Sequence, residues 1–359
     1  MSVQSAGIVD LQRTERTVAN ATVRGVALWL FMVAALIIGL TVFGGYVRLT
    51  RSGLSIVEWN VITGIVPPIG EVAWQAEFAK YQATPEFQHV NFNMTLADYQ
   101  RIFYVEYIHR LIARLAGLLV VVPLGIFLWR GFIPWRSSGL YWLIVALFGF
   151  QGFLGWYMVS SGLVDQPAVS HYRLTIHLLS ALTLLALTLW MALNRHRQRK
   201  HLRVAWSGAT QLAAVLLAVL TLQIAYGGLV AGLKAGHASD TWPRMFGYLV
   251  PPGLLTVIAP WWANLLETAA TVHFVHRWFA FVVLVLAVLL YLRTQQQAMR
   301  HAVLCIVSLV LVQITLGVSV IWWHVPLALA LSHQATALLL FASVIWLLHQ
   351  SLYRGGAAT

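Results

Sequence analysis

Eight apolar runs of roughly 20 residues, each long enough to cross the hydrocarbon core of a bilayer as a helix, constrain this chain more than any other feature of its sequence. They are expected near residues 25–47, 103–129, 139–160, 174–193, 208–233, 268–292, 302–323 and 326–348. Lipid offers no hydrogen bonds, so a spanning segment must satisfy its backbone internally, and runs of this length do so as helices. The fold class is therefore an all-α integral membrane protein with eight transmembrane helices. Composition agrees: 60% of the 359 residues are hydrophobic and 9% charged, too few polar side chains to coat a water-soluble globule of this size.

The formal net charge of +12 would point to a nucleic-acid partner only if the basic residues gathered on one folded surface. Instead they fall in alternate connections, which speaks for membrane lipid as the partner and against nucleic acid. Arg13, Arg16 and Arg24 precede the first run, and Arg130 and Arg136 follow the second. Arg195, Arg197, Arg199, Lys200 and Arg203 follow the fourth, Arg293 and Arg300 the sixth, and Arg354 the last. The connections after the third and seventh runs contribute only Arg173, so the positive-inside rule places both termini in the cytoplasm. The single cysteine, Cys305, lies in the seventh run and forms no intrachain disulfide. The N-terminal segment lacks both a clean cleavage site and the acid-poor, Arg-rich character of a transit peptide, so a bacterial plasma membrane is expected before a mitochondrial inner one.

The chain repeats itself. Gly44-Gly45-Tyr46-Val47 returns as Gly227-Gly228-Leu229-Val230, and Trp59 with Val66-Pro67-Pro68 returns as Trp242 with Val250-Pro251-Pro252. Glu106-Tyr107-Ile108-His109-Arg110 corresponds to His273-Phe274-Val275-His276-Arg277, Gln151 and Gly155 to Gln313 and Gly317, and His177 to His333. The landmarks keep their order, as a duplication with shorter loops in its second copy requires. Four crossings return each copy to its starting side, so the expected architecture is two tandem, parallel four-helix bundles related by a pseudo-two-fold axis along the membrane normal. The expected divisions are a cytoplasmic arm at 1–24, bundles at 25–194 and 208–349, a basic linker at 195–207 and a tail at 350–359.

Ionisable side chains inside a bilayer are costly and mark function by default, so depth sorts the thirteen histidines. His196, His201, His301 and His349 are expected at the cytoplasmic surface, and His89, His237 and His324 in outer loops or at a helix edge. His109, His177, His276 and His333 fall in the first turns of the even-numbered helices, at similar depth and two per half. Such pairs suit a porphyrin iron held from both faces between helices, although any single one of them would equally suit an interhelical hydrogen bond. His273, three residues before His276, is either the ligand itself or a group that orients it. His171, on another helix face, is expected to pack at the interface. Arg110 and Arg277 face either a haem propionate or lipid phosphate. Glu106 is either a proton-transfer or charge-stabilising group beside the pocket or the partner of an arginine. The second half has no acid at the matching position, which points to halves with different tasks.

Beyond this reading of the residues, the chain resembles the haem A synthases of the bacterial and mitochondrial type. The resemblance is carried by Gly45 through Ser55 (GYVRLTRSGLS), Glu58-Trp59, Thr63 through Pro68 and Trp74 through Tyr81, then by Pro85-Glu86-Phe87 and Tyr104 through Arg110. It continues in Gln151 through Val159, Ser161-Gly162-Leu163, Tyr172-Arg173-Leu174, Ala231-Gly232-Leu233, Thr241-Trp242-Pro243, Asn264, Glu267 and His333-Gln334-Ala335. It implies oxidation of a methyl group of haem O to the formyl group of haem A, destined for terminal oxidases. It implies that His109 and His177 hold the substrate haem with Glu106 as catalytic side chain, that His276 and His333 ligate haem b, and that haem O synthase and an electron donor are partners. Two departures stand out: the first outer loop lacks the cysteine pair of some members, and His273 stands where relatives often have Gln. A dihaem electron-transfer cytochrome without chemistry on its haem is the alternative, and a transporter would demand helices broken at the midplane, where this sequence offers mainly Pro123.

Overall fold

The computed structural model describes residues 3–164, 166–197 and 206–353, with side chains from residue 23 onward. Asp165, most of the basic linker with Arg199, Lys200, His201 and Arg203, and the tail from Arg354 lie outside the described residues, as do the side chains of Arg13 and Arg16. Eight long helices carry the fold: α1 Val3–Leu49, α2 Leu96–Trp129, α3 Gly139–Ser160, α4 His171–His196, α5 Gly208–Gly232, α6 Ala269–Arg293, α7 Gln297–Trp322 and α8 Leu327–Leu352. All eight are long and apolar enough to cross a membrane, with Val23–Leu49 as the spanning part of α1. Among the described residues there is no β-strand beyond one isolated Met245–Tyr248 bridge. Each spanning helix is continuous, including α2 through Pro123, unlike the broken helices of the transporter alternative.

The ends of the helices differ from the hydropathy reading where polar capping takes over. α1 is helical upstream of the span, from Val3 onward. α2 begins at Leu96, not near 103, because Thr95 and Asp98 form a capping box: each side chain accepts the other's backbone N–H at 3.3 Å. The extra turns project beyond the apolar run and carry Tyr99 and Phe103. Against them fold two short helices of the first outer loop, Glu71–Gln82 and Pro85–His89, which bury Trp74, Phe78 and Tyr81. The ring centroids of Trp74 and Phe103 lie 5.0 Å apart and those of Tyr81 and Tyr99 5.1 Å. The loop thus has a small aromatic core and packs on the first turns of α2.

Helix neighbours follow chain order within each half. α1 packs on α2 and α4 and α3 joins α2 to α4; α5 packs on α6 and α8 and α7 joins α6 to α8. Between the halves, α4 lies against α5 and α8, and α1 against α8. Glycines let these backbones approach, since lipid supplies no hydrophobic drive for helix association and close packing must replace it. A side chain at Gly45 would overlap Gln334 of α8, whose Nε2 donates to the Thr41 carbonyl at 2.9 Å. One at Gly228 would crowd Thr175 of α4, and one at Gly232 would overlap the backbone of His171. Gly45 and Gly228 are the matching second glycines of the repeated pair, so both copies spend that position on the contact between halves.

His349 departs from its expected place at the cytoplasmic surface. It is fully buried between α4 and α8, with Nε2 2.8 Å from Asn194 Oδ1 and its ring edge-on to Trp190 at 4.9 Å. The turn of helix that carries it faces the other half, and burial there is repaid by the amide partner. His171 packs on Tyr172 and against Gly232 of α5.

Because the overlap at Gly232 involves backbone, which has little room to relax, Gly232→Ala should destabilise the protein by about 1–3 kcal/mol. Thermal unfolding in detergent checks this, with Gly125→Ala, which meets nothing within 4 Å, as the neutral control.

Candidate functional site

Each of the four helix histidines rests against a glycine of the helix before it. A methyl carbon placed on Gly44 would lie 3.4 Å from Nε2 of His109, and one on Gly155 3.8 Å from Cε1 of His177. On Gly227 it would lie 3.3 Å from Cε1 of His276, and on Gly317 2.9 Å from Cε1 of His333. At Gly317 a side chain would overlap the imidazole and at Gly227 it would press on it, whereas at Gly44 and Gly155 it would make ordinary van der Waals contact. All four rings are half-buried. The His276 and His333 rings face each other across 6.3 Å between centroids, with planes 82° apart. A metal ion held by one nitrogen from each side, at about 2 Å per bond, fits that span. His109 and His177 lie within electrostatic reach of each other.

Three of the four rings meet backbone. His109 faces the Leu40 carbonyl and His276 that of Gln223, in each case four residues before the glycine. His333 faces the Gln313 carbonyl in the same way, but its Nδ1, like that of His177, is buried without a hydrogen-bond partner. Three of the four sites add a glutamine at this position. Gln223 Nε2 lies 2.9 Å from the His276 carbonyl and 3.2 Å from its Nδ1, Gln313 Nε2 lies 3.4 Å from His333 Nε2, and Gln151 Nε2 lies 3.5 Å from the His177 carbonyl. Gln223 is a site residue that the sequence reading missed. The spacing Gln-x-x-x-Gly at 151, 223 and 313 is the signal for it, and Leu40 before Gly44 hides that signal when the first helix is compared with the fifth.

His273 belongs to a different contact. Its Nε2 accepts from Nε of Arg277 at 3.0 Å, so the structure turns His276, and not His273, toward His333. Arg277 spends its remaining donors on loop carbonyls, Nη1 on Thr241 at 2.8 Å and Nη2 on Ser239 at 3.0 Å. Arg110 does the same in the first half: Nη1 donates to the Glu58 carbonyl at 2.9 Å and Nη2 to that of Ile56 at 3.0 Å. Ser239 and Thr241 stand 183 positions after Ile56 and Glu58, the offset that separates Gly44 from Gly227, so the repeat persists at the level of single hydrogen bonds. Trp59 and Trp242 complete the pattern by stacking under the two guanidinium groups, at 4.5 and 5.9 Å.

Glu106 occupies the place of His273. Its Oε1 accepts from Arg110 at 2.6 Å (Nη2) and 3.0 Å (Nε), and its Oε2 from Ser55 Oγ at 2.7 Å and the Ile56 N–H at 2.9 Å. The carboxylate sits in a polar socket made by the first outer loop, three residues before His109 on the same helix face. A second buried carboxyl, Glu86, lies in the loop's short helix, 5% exposed, and its Oε2 has no hydrogen-bond partner among the described residues. Burial pushes the Glu86 carboxyl from its ordinary 4.5 up to about 7, with Glu106 adding repulsion, while Arg51 and Lys234 pull it down.

Fold and site together define a multi-pass membrane protein that turns the imidazoles of His276 and His333 toward each other between its helices. Residues 27–345 match the model of the COX15-CtaA family, described as cytochrome oxidase assembly protein, and the chain belongs to that family. It is 40% identical to the haem A synthase of Brucella ovis over 354 residues, 96% of this chain and 97% of that protein. It shows the same 40% identity to the haem A synthases of Wolbachia sp. subsp. Brugia malayi, over 89% of this chain and 95% of that one, and of Nitrosospira multiformis, over 92% and 94%.

The folded protein binds the Glu86 proton more tightly than the unfolded chain does. Between about pH 4.5 and 7 unfolding therefore releases a proton, and stability should decline as pH rises through that window. Melting curves across it should show the decline in the wild type and a flatter profile in Glu86→Gln.

Proposed function

We propose that this protein is a haem A synthase, which oxidises a methyl group of haem O to the formyl group of haem A for terminal oxidases. The observation that carries the reading is the coincidence of two glycine-backed histidine pairs with end-to-end similarity to haem A synthases. A plain electron-transfer cytochrome is not favoured, since the relatives bear the name of the synthase.

On this reading the two halves, 25–194 and 208–349, are tandem bundles related by a pseudo-two-fold axis. The ring-like order of neighbours within each half and the repeated Arg110 and Arg277 contacts support it. His109 and His177 hold the substrate haem. His276 and His333 hold haem b, which supplies one-electron transfer when bound; the 6.3 Å ring separation and the unpartnered Nδ1 of His333 fit that group. Glu106 is the catalytic side chain. With both oxygens taken up by donors, it is suited to keep a negative charge in place beside His109, where positive charge develops during oxidation, more than to carry protons. Arg110 and Arg277 clamp the outer loops over the two pockets, and His273 does in the second half what Glu106 does in the first: it accepts from the arginine. It thereby adds no charge, and this asymmetry supports a second half that transfers electrons without altering its haem.

The enzyme is placed in a bacterial plasma membrane with both termini cytoplasmic, which the side shared by Arg130, Arg136, Arg195, Arg293 and Arg300 supports. Haem O synthase, as the source of the substrate, and an electron donor are its expected partners.

Extraction and identification of every haem in the purified protein tests the function directly: haem b together with hydroxylated or formylated haem is expected, and two unmodified b haems would refute it. Glu106→Ala should abolish haem A formation and leave the b-type spectrum intact. His276→Ala and His333→Ala should each lose or shift that spectrum. Gly317→Ala, which pushes a methyl group to 2.9 Å from His333, should perturb it more than Gly155→Ala, with 3.8 Å to spare, perturbs binding in the first half.

A further inference from the structure

The arginines nearest the four histidines are committed elsewhere. Arg110, Arg114, Arg173 and Arg277 all donate to backbone carbonyls, and Lys80 pairs with Glu58 and Glu77 at 2.9 Å. A haem brings two carboxylates with it, and these need cations. Three at the outer ends of α1 and α5 are uncommitted: among the described residues no hydrogen bond or ion pair engages the side chains of Arg48, Arg51 or Lys234. They form one group, for Lys234 lies within electrostatic reach of both Arg51 and Arg48, and Glu86 lies within reach of Lys234 and Arg51. One carboxylate against three cations leaves the group positively charged.

Its construction follows the repeat and then departs from it. Lys234 stands 183 positions after Arg51, the offset of the glycine pairs, and the two share a left-handed backbone, with φ of 51° and 52°. A left-handed lysine and arginine at matching helix exits are uncommon, and both copies place a cation there. Arg48 has no counterpart, because Ala231 occupies its place in α5. It lies one turn beyond Gly44, on the same helix face, and helical side chains lean toward the N-terminus, so Arg48 reaches back over the glycine that faces His109 Nε2.

We propose that Arg48, Arg51 and Lys234 form a carboxylate seat at the outer junction of the two halves, which takes the propionates of the haem held by His109 and His177. This rests on the haem A synthase reading and adds the residues that orient the substrate within it. Arg48 confines the seat to the half that carries Glu106. Lys234, coming from the other half, makes that seat depend on how the halves are joined.

The test compares ferric protohaem IX with its dimethyl ester, which lacks the carboxylate charges, by spectral titration of the full-length protein in detergent, with the His276–His333 site already filled with haem b so that only the His109–His177 site titrates. The wild type should bind the free acid at least about tenfold more tightly than the ester, as charge-assisted hydrogen bonds of this kind allow. In the triple variant R48Q/R51Q/K234Q that preference should vanish while the affinity for the ester stays at the wild-type value, which shows that the pocket is folded. Where the triple variant loses the ester too, R48Q and K234Q singly carry the same test, each lowering the ratio, and R48K should restore it in part. A wild type without preference, or variants that keep it, would overturn the seat. His109→Ala/His177→Ala should abolish the titratable binding; if it does not, the ligand reading itself fails, and the seat with it.

Discussion

Inside lipid, a polar group that finds no partner within the protein finds none at all, and most of this structure's detail is an answer to that condition. The helix histidines meet backbone carbonyls and glutamine amides, and Arg110 and Arg277 discharge their guanidinium donors onto the loops above them. Glu106 collects four hydrogen bonds from Arg110, Ser55 and Ile56. These contacts do more than satisfy polar atoms. They tie the outer loops to α2 and α6 next to the histidines, so the closure of each pocket and the orientation of its polar groups are one arrangement.

Glycine is the complementary device. Of each Gly-Gly pair, the first residue gives an imidazole of its own half room to lie against the helix, and the second lets a helix of the other half approach. Neighbouring helix positions point about 100° apart, so adjacent glycines serve two different faces. The halves are thereby packed together through the same turn that shapes their sites. The differences between the copies then stand out against a shared frame: Glu106 for His273, Leu40 for Gln223, Arg48 for Ala231. All three fall in the helices that carry the histidines or the glycines against them.

Much of this could be read without coordinates because lipid narrows the options. Eight apolar runs became eight helices, and the residues recognised as repeated turned out to make repeated contacts. What escaped the reading has local causes. The capping box at Thr95 and Asp98 lengthens α2 beyond its apolar run, and hydropathy does not register capping. His349 sits where a surface position was expected because its burial comes from the other half of the chain, far away in sequence. Gln223 was overlooked because its counterpart in the first helix is a leucine.

The sequence by itself determined the class of fold, the number of crossings, the duplication and the four histidines set apart by depth. Each of these follows from periodicity and composition along a single segment, where the bilayer acts on the chain locally. Only the tertiary structure decided which of two neighbouring histidines faces a partner, where Arg110 and Arg277 spend their donors, and that Arg51 and Lys234 come within electrostatic reach although 183 positions separate them. Those outcomes depend on the direction of side chains between helices remote in sequence, and direction is settled by packing, not by hydropathy.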